Sequence, residues 1–264
     1  MNTATMSFAP ITSARLSEAL PFTSAMMYKP HSPMQNHLLA AMPTEEYDLL
    51  FPHLELVPMP LGEILHGSGS RMQHVYFPTS AILSLVYVLE GGATAETAIV
   101  GNEGVLGISF LMGGDSTPNR AVVQSAGFGY RLKAQLLKNE FDRAGPVFQI
   151  LIRYFQALMT HVAQTAVCNR HHTVEQQLCR FLLLNLDRLP SNSVTMTQEL
   201  IATMLGVRRE GVTEAAGNLQ RAGLIKYSRG QIEVLARPKL EAAACECYAV
   251  VKQEFDRLLR YNPS

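Results

Sequence analysis

The feature that most constrains the fold is the stretch TQELIATMLGVRREGVTEAAGNLQRAGLI at residues 197–225, in which two short helical patterns meet at Gly206. Thr197 is a good N-cap for the first helix, because its hydroxyl can accept a backbone N–H that has no partner within the helix. Gly206 ends that helix, since glycine enters a left-handed turn at little cost. Apolar residues keep helical spacing on both sides of this glycine, at Leu200, Ile201, Met204, Leu205, Val212, Ala215, Ala216 and Leu219. The stretch predicts two short helices packed across a tight turn.

Two helices joined in this way are typical of a helix-turn-helix, whose second helix enters the major groove of DNA. In that arrangement Arg209, Glu210 and Thr213 lie in the first turns of the inserted helix. Arginine can donate two hydrogen bonds to guanine, and glutamate can accept one from cytosine. We therefore predict that these three residues read bases. Arg208 points about 100° away from Arg209 around the helix and is predicted to contact phosphate.

The sequence LIKYSRGQIEVL follows Gly223 and predicts a strand, a Ser-Arg-Gly turn and a second strand. This hairpin would form a wing beside the two helices, with Lys226 and Arg229 near the DNA backbone. Residues 197–239 contain seven basic and four acidic residues, whereas the whole chain has 22 of each. A local basic excess on a chain without net charge favours a DNA-binding surface. For the two-helix pattern by itself, an ordinary helical hairpin is the alternative interpretation.

The sequence before Gly145 has a different texture. Two short helical patterns are followed by short segments rich in Val, Ile, Tyr and Thr, separated by Gly, Pro, Ser and Asn, which predicts a β-roll or barrel. From Pro146 the run VFQILIRYFQALMTHVAQTAV predicts one long helix. Apolar residues at intervals of four, three and four form a coiled-coil seam on it, at Leu151, Phe155, Leu158 and Val162. We predict that this helix joins two copies of the chain; a helix buried wholly within one chain is the alternative.

These patterns predict an α+β chain with a jelly-roll-like N-terminal sensor domain, a long dimerisation helix and a C-terminal winged helix-turn-helix. The predicted divisions are a mobile leader at 1–32, the β-roll at 33–145, the dimerisation helix at 146–170, the winged helix-turn-helix at 171–240 and a C-terminal helix at 241–264. No apolar run reaches the roughly 18 residues of a membrane span. The leader has no basic region followed by a continuous apolar one, so no signal peptide is predicted. Four cysteines without regular pairing favour the reducing cytoplasm.

This order of elements resembles the Crp–Fnr family of bacterial transcription regulators over about residues 34–240. The resemblance is most specific in the Thr-capped first helix, Gly206, the pair Arg209-Glu210 and Val212. It implies that Arg209 and Glu210 are the principal base readers, and that Thr197 and Arg229 contact phosphate. It also implies a homodimer on an inverted repeat of double-stranded DNA, with RNA polymerase as a further partner.

The chain departs from the family pattern at two positions of the second helix. Gly211 stands where a Thr or Ser usually touches phosphate. Glu214 stands where members that read the best-known operator carry a second arginine. A carboxylate is repelled by phosphate and cannot donate to guanine, so the operator of this chain is expected to differ from that site.

The resemblance also implies a cyclic-nucleotide-binding-like β-roll. Nucleotide-binding members carry an acid in a glycine-rich loop and an arginine before a small residue, and Arg120-Ala121 preserves the second element. In NEGVLG the acid position is taken by Val105 or Leu106, with Glu103 displaced. Glu103, Arg120 and Ala121 are therefore the candidate effector-pocket residues. Cyclic AMP is not expected to bind, because the charge-assisted hydrogen bonds of the missing acid are lost.

Other classes of function have weaker support in the sequence. Iron–sulfur members of the family it resembles carry a cysteine cluster near the N-terminus, and no cysteine precedes Cys168 here, so the resemblance does not extend to that sensor. No metal or cofactor is predicted. A haem or metal sensor would have to use His161, Cys168, His171, His172 and Cys179. Cys245 and Cys247 are placed in the final helix, too close together for two ligands on one helix face, and a redox role is left open.

Enzymatic motifs are lacking as well. The sequence has no P-loop, no G-x-S-x-G and no metalloprotease motif, so the chain is predicted not to be an enzyme. A cupin-like metal enzyme would need histidines on neighbouring strands, and only His66 and His74 lie in the strand region. A winged protein that binds other proteins instead of DNA is a third class, and the pair Arg208-Arg209 counts against it.

Overall fold

The structure is a computed structural model that describes residues 31–259, so the predicted leader lies, apart from its last two residues, outside the described part. The helices are α1 His37–Ala40, α2 Thr44–Leu50, α3 Ile108–Leu111, α4 Ala134–Asp142, α5 Pro146–His171, α6 Val174–Leu186, α7 Gln198–Leu205, α8 Arg209–Arg221, α9 Arg237–Ala243 and α10 Glu246–Leu259. The strands are β1 Glu55–Met59, β2 Ile64–His66, β3 His74–Pro78, β4 Ile82–Val88, β5 Thr94–Val100, β6 Arg120–Ser125, β7 Gly127–Lys133, β8 Ser193–Thr195, β9 Ile225–Ser228 and β10 Gln231–Val234. No helix in this part of the chain is long and apolar enough to cross a membrane.

The β-rich region folds as two antiparallel sheets, which confirms the predicted β-roll. One sheet has the strand order β1-β7-β3 and the other β2-β6-β4-β5. Val75 and Phe77 of β3 and Leu132 of β7 are fully buried, as are Ile82 and Leu83 of β4. Val75, Phe77, Ile82 and Leu132 belong to the main core, whereas Leu83, on the opposite face of β4 from Ile82, belongs to a second, smaller cluster.

The long helix α5 is also confirmed, and it begins at Pro146 because proline is tolerated in the first helical turn. Its inner face packs on β5 and on the glycine-rich loop that follows β5. Tyr154 is fully buried there and donates a hydrogen bond from its hydroxyl to the Val105 carbonyl, at 3.1 Å. The final helix α10 lies along another side of α5, with the Phe255 ring edge-on to Tyr154.

This packing corrects the predicted coiled-coil seam. Leu151 and Leu158 are 0% and 6% exposed, so they belong to the core of their own chain and cannot face a second copy. Phe155 and Val162 remain partly exposed. The helix is apolar on most of its circumference, and a seam and a core stripe share the same spacing of three and four residues. Periodicity by itself therefore could not tell which stripe faces the β-roll.

A buried ion pair joins the β-roll to the C-terminal half of the chain. Arg188, two residues beyond α6, places Nε 2.9 Å from Oε1 of Glu103 in the glycine-rich loop, and both side chains are almost fully buried. The Nε–H bond of Arg188 is not directed at this oxygen, so the contact is an ion pair and not a hydrogen bond. Gly101 leaves room for it, because a Cβ there would lie 2.9 Å from the Arg188 side chain. The guanidinium also stacks over the Phe255 ring, 5.6 Å from its centre.

We expect the chain to lose stability when only one partner of the Glu103–Arg188 pair is removed. Arg188→Met or Glu103→Gln should each lower the free energy of unfolding by about 3–5 kcal/mol, because the remaining partner is left buried without its counterpart. The double variant should lose clearly less than the sum of the single losses. Urea unfolding of the three variants measures this interaction, and strictly additive losses would show that the pair contributes nothing specific.

Candidate DNA interface

The predicted helix-turn-helix is formed by α7 and α8, and each predicted local signal has its expected role. The Thr197 hydroxyl accepts a hydrogen bond from the Leu200 backbone N–H at 3.2 Å, which caps α7. Gly206 ends α7 in the left-handed conformation, with φ of 67°. Val212 and Leu219 of α8 are fully buried, and so is most of the inner face of α7. The two helices therefore pack as a unit whose outer face is set by α8.

The outer face of α8 is polar and exposed near its N-terminus. Arg209, Glu210, Thr213 and Glu214 all lie on it, and Arg208 is the N-cap residue. Arg209 places Nε 3.9 Å from Oε2 of Glu199 on α7, and both side chains are mostly exposed. Such a pair is weak, so the guanidinium is free to leave it for another acceptor. The structure thus brings all three predicted base readers together on one accessible surface.

The wing is a hairpin of β9 and β10, with β8 added on the other side of β10. Its turn, Arg229-Gly230, has φ of 49° and 79°, the signature of the two-residue turns that match strand twist. The Tyr227 N–H donates to Oε1 of Gln220 on α8 at 2.8 Å, and its hydroxyl donates to the Met196 carbonyl at 3.2 Å. The recognition surface and the wing are therefore held together.

The residues that are predicted to contact the DNA backbone lie on several elements of the winged helix-turn-helix. Lys226 and Arg229 are exposed on the wing, and Arg208 is exposed at the start of α8. Thr197 is exposed too, but its hydroxyl oxygen already accepts the capping bond, so it can offer its proton to a phosphate while retaining the cap. All four residues are therefore accessible, at the starts of α7 and α8 and on the wing.

A polar contact docks α7 onto β5 of the β-roll. The Ser84 hydroxyl donates to Oε2 of Glu96 at 2.5 Å and lies 3.4 Å from the Met204 sulfur on α7. Burial raises the pKa of the Glu96 carboxyl to about 7, although the Ser84 hydrogen bond and the nearby Arg180 act in the opposite direction. The helix-turn-helix therefore lies against the β-roll beside the Glu96 carboxyl, whose pKa burial raises to about 7.

The three candidate effector residues do not share a pocket, which corrects their grouping. Glu103 is held by Arg188, Arg120 is exposed at the start of β6, and Ala121 is fully buried within the sheet. A separate cavity of about 320 Å³ lies between the β-roll and α5, lined by residues that include Thr97, Val105, Ser109, Asn119, Leu158 and Met159. The loop turns Val105 and Leu106 inward, which carries Glu103 away from this cavity.

A cluster of possible metal ligands, which no predicted site contains as a whole, lies at the junction of α5 and α6. Cys168 and His172 meet Cys245 and Cys247 there. His161 and Cys179, two other candidate ligands from the sequence, lie outside this cluster. Cys245 precedes α10 instead of lying within it, so the two neighbouring cysteines can face the same point. The contacts span more than 70 residues of sequence, and no local pattern signals them.

Comparison with known proteins agrees with this geometry. Residues 176–243 match the Crp-like helix-turn-helix domain. No curated protein matches the sequence. Among solved structures, FixK2 from Bradyrhizobium japonicum shares 18% identity at a TM-score of 0.61, covering 73% of this chain and 98% of its own. A CRP-family transcriptional regulator from Thermus thermophilus shares 20% identity at 0.59, covering 71% and 96%.

A third structure, the c-di-GMP-responsive global regulator CLP from Xanthomonas campestris, shares 14% identity at a TM-score of 0.58, covering 73% of this chain and 99% of its own. At these identities the likeness concerns the fold. Residues 176–243 are therefore a Crp-like helix-turn-helix domain, the class of DNA-binding domain that the sequence predicted. The described chain as a whole has the fold of solved Crp/Fnr-type transcription regulators, in agreement with its resemblance to the Crp–Fnr family.

The Glu96 contact predicts a pH dependence of stability. The folded chain keeps the Glu96 proton up to pH about 7, whereas the unfolded chain releases it above about 4.5. Binding of this proton therefore stabilises the folded chain fully below about pH 4.5, and this contribution is lost as the pH rises to about 7. The free energy of unfolding should fall by at most about 3 kcal/mol over this range. Glu96→Gln should flatten this slope when melting temperatures are compared at about pH 5 and about pH 8. Parallel pH curves for the two proteins would contradict it.

Proposed function

We propose that the protein regulates transcription as a homodimer that binds an inverted repeat in double-stranded DNA. The observation that carries this proposal is the exposed start of α8, where Arg209, Glu210 and Thr213 project beside a wing that bears Lys226 and Arg229. A buried apolar face on the opposite side fixes α8 on its own domain. We also propose the divisions 33–145, 146–170, 171–240 and 241–264 as the functional parts of the chain, and RNA polymerase as a further partner.

Within this surface we assign different roles to the neighbouring arginines. Arg209 lies in the first turn of α8 on the face shared with Thr213, where base edges would lie in the major groove. Arg208 is the N-cap, outside the helix proper, and its position favours the flanking phosphates. Glu210 and Glu214 can accept from cytosine but cannot donate to guanine, so they support an operator of different sequence from one read by two arginines.

We propose dimerisation through a seam on the outer face of α5, shifted from the one that periodicity predicted. Its members are partly or fully exposed and recur at intervals of four, three, four, three and four, at Phe148, Ile152, Phe155, Met159, Val162 and Ala166. This is the heptad spacing of a coiled coil. Met159 is 50% exposed in the single chain, and pairing with a second α5 would cover it. A parallel pair would also present two α8 helices on one side, as an inverted repeat requires.

We propose that the effector, if one binds in the cavity between the β-roll and α5, is not cyclic AMP. Among the described residues that line this cavity there is no Arg, Lys, Asp or Glu. A cyclic phosphate would find no fixed positive charge there, and a ribose hydroxyl would find no carboxylate. The polar groups available include the Thr97 and Ser109 hydroxyls and the Asn119 amide, which suit an uncharged or weakly polar molecule.

The first prediction from this proposal separates base reading from phosphate contact. Arg209→Ala should cost about 1–3 kcal/mol of binding to the operator and relax the preference at one base pair in each half-site. Arg208→Ala should weaken operator and scrambled DNA alike and reduce the salt dependence by about one phosphate contact. An operator selected from random DNA, with half-sites roughly 34 Å apart, provides the target for titrations at several salt concentrations.

The matched pair of variants makes this test selective, since each removes one guanidinium at the same end of α8. Equal losses on operator and scrambled DNA for Arg209→Ala would contradict its role as a base reader. A scrambled-DNA affinity that is the same for the wild type and for Arg208→Ala would contradict the phosphate contact.

The second prediction concerns the seam. Met159→Arg should convert the dimer to a monomer, because it places a charge at the centre of the apolar stripe. Leu49→Arg on α2 is the matched control, since Leu49 is 54% exposed and lies outside the seam. Light scattering of the full chain at micromolar concentration measures the mass. A wild-type monomer that still binds a two-part operator, or a dimer in both variants, would contradict the proposed seam.

A further inference from the structure

Four side chains with strong affinity for metals converge where α5 ends and α10 begins. Cys168 lies in the last turns of α5 and His172 is its C-cap residue, while Cys245 precedes α10 and Cys247 lies in its first turn. One potential ligand atom from each lies within 4.8 Å of all the others. The sulfurs of Cys168 and Cys245 are 3.6 Å apart, and the Cys247 sulfur is 3.6 Å from Nδ1 of His172.

The two distances of 3.6 Å agree with the edges of a tetrahedral zinc site. Zinc–sulfur bonds of about 2.3 Å and zinc–nitrogen bonds of about 2.0–2.1 Å place two sulfurs about 3.8 Å apart, and a sulfur and a nitrogen about 3.6 Å apart. Three thiolates and one imidazole form a ligand set typical of structural zinc. We propose that Cys168, His172, Cys245 and Cys247 bind one zinc ion. Each thiol gives up its proton to solvent when the metal enters, and His172 binds as the neutral ring.

The surroundings of His172 support metal binding through Nδ1. Its other ring nitrogen, Nε2, lies 3.3 Å from Oε2 of Glu246. A metal-bound histidine characteristically donates its second N–H to a carboxylate, which orients the ring and strengthens the ligand. Glu246 lies between Cys245 and Cys247 in the sequence, so the segment that supplies two sulfurs also supplies the group that orients the imidazole.

Charge balance gives an independent reason to expect an anionic centre. Three thiolates, a neutral imidazole and a zinc ion carry one net negative charge together. Arg180 is buried close to Cys168 and Cys247. Its Nη2 donates to the Thr165 hydroxyl at 2.8 Å, while its Nε has no hydrogen-bond partner among the described residues. A buried guanidinium in this position compensates the charge of the occupied site.

A disulfide explains the cluster less well. All four cysteines are free, and the 3.6 Å between the Cys168 and Cys245 sulfurs exceeds the about 2.05 Å of a disulfide bond. A disulfide would use two of the three thiols and leave His172 and Glu246 without a role. A closed set of four protein ligands also leaves no open position, so the proposed zinc is structural. It would fasten α10 to the end of α5, directly before the helices of the DNA-binding domain.

The test measures zinc on the full chain purified under reducing conditions. We expect close to one zinc ion per chain by elemental mass spectrometry, and uptake of one Zn²⁺ per chain when metal-free protein is titrated. Cys245→Ser and His172→Ala should each weaken zinc binding by more than about 100-fold, and Glu246→Gln by about 10–100-fold. Chelation should lower the melting temperature of the wild type by several degrees, with less effect on Cys245→Ser.

Two matched variants serve as controls because the chain offers a near neighbour of each ligand type. Cys179→Ala removes the buried cysteine outside the cluster, and His171→Ala removes the exposed histidine beside His172; both should keep full zinc content. Wild-type protein that is free of zinc and takes up none in the titration would overturn the proposal, whatever the folding of the variants. So would an iron–sulfur chromophore, a Cys168–Cys245 disulfide under these conditions, or equal zinc content in Cys179→Ala and Cys245→Ser.

Discussion

The buried contact between Glu103 and Arg188 determines how the two halves of the chain meet. Burying either charge without the other is costly, so the glycine-rich loop and the end of α6 must be positioned such that Glu103 and Arg188 meet. Gly101 gives the arginine its space, and Phe255 of α10 covers its other side. One interaction thus relates the β-roll, the DNA-binding domain and the C-terminal helix. An apolar contact of the same area would tolerate sliding, whereas this one requires a single geometry.

The Glu103–Arg188 ion pair also brings α7 against β5, and this second contact contains no ion pair among the described residues. Its polar centre is a carboxyl group, Glu96, with a pKa raised by burial to about 7. An interface that includes a group titrating near neutrality is less stable in its charged form. The recognition surface of α8 points away from this contact, so it stays exposed while the domain is docked. The docked state and a DNA-competent surface are therefore compatible within one chain.

The parts that local chemistry controls could be predicted from the sequence. Thr197 caps α7 and Gly206 turns left-handed because both roles depend only on adjacent backbone, and the family resemblance rested on these residues. Leu151 and Leu158 were assigned to the wrong side of α5, since a helix that is apolar on most sides does not reveal which stripe meets the β-roll. Glu103 was placed in an effector pocket because its partner, Arg188, is remote in sequence. The cysteine cluster had the same difficulty, as its halves are 77 residues apart.

The helix α5 connects these sites because different faces of it serve different contacts. Tyr154 and Leu158 face the β-roll, α10 covers a second side, and the outer stripe that includes Met159 and Val162 is the proposed seam. Leu158, Met159 and Val162 also line the cavity, so a molecule held there would touch the same helix turn that a second copy would cover. A ligand that favours one position of α5 at the cavity would therefore also act on the proposed seam, because the same helix turn serves both. In the proposed dimer, we expect binding in the cavity to influence the pairing of the two chains through this single helix.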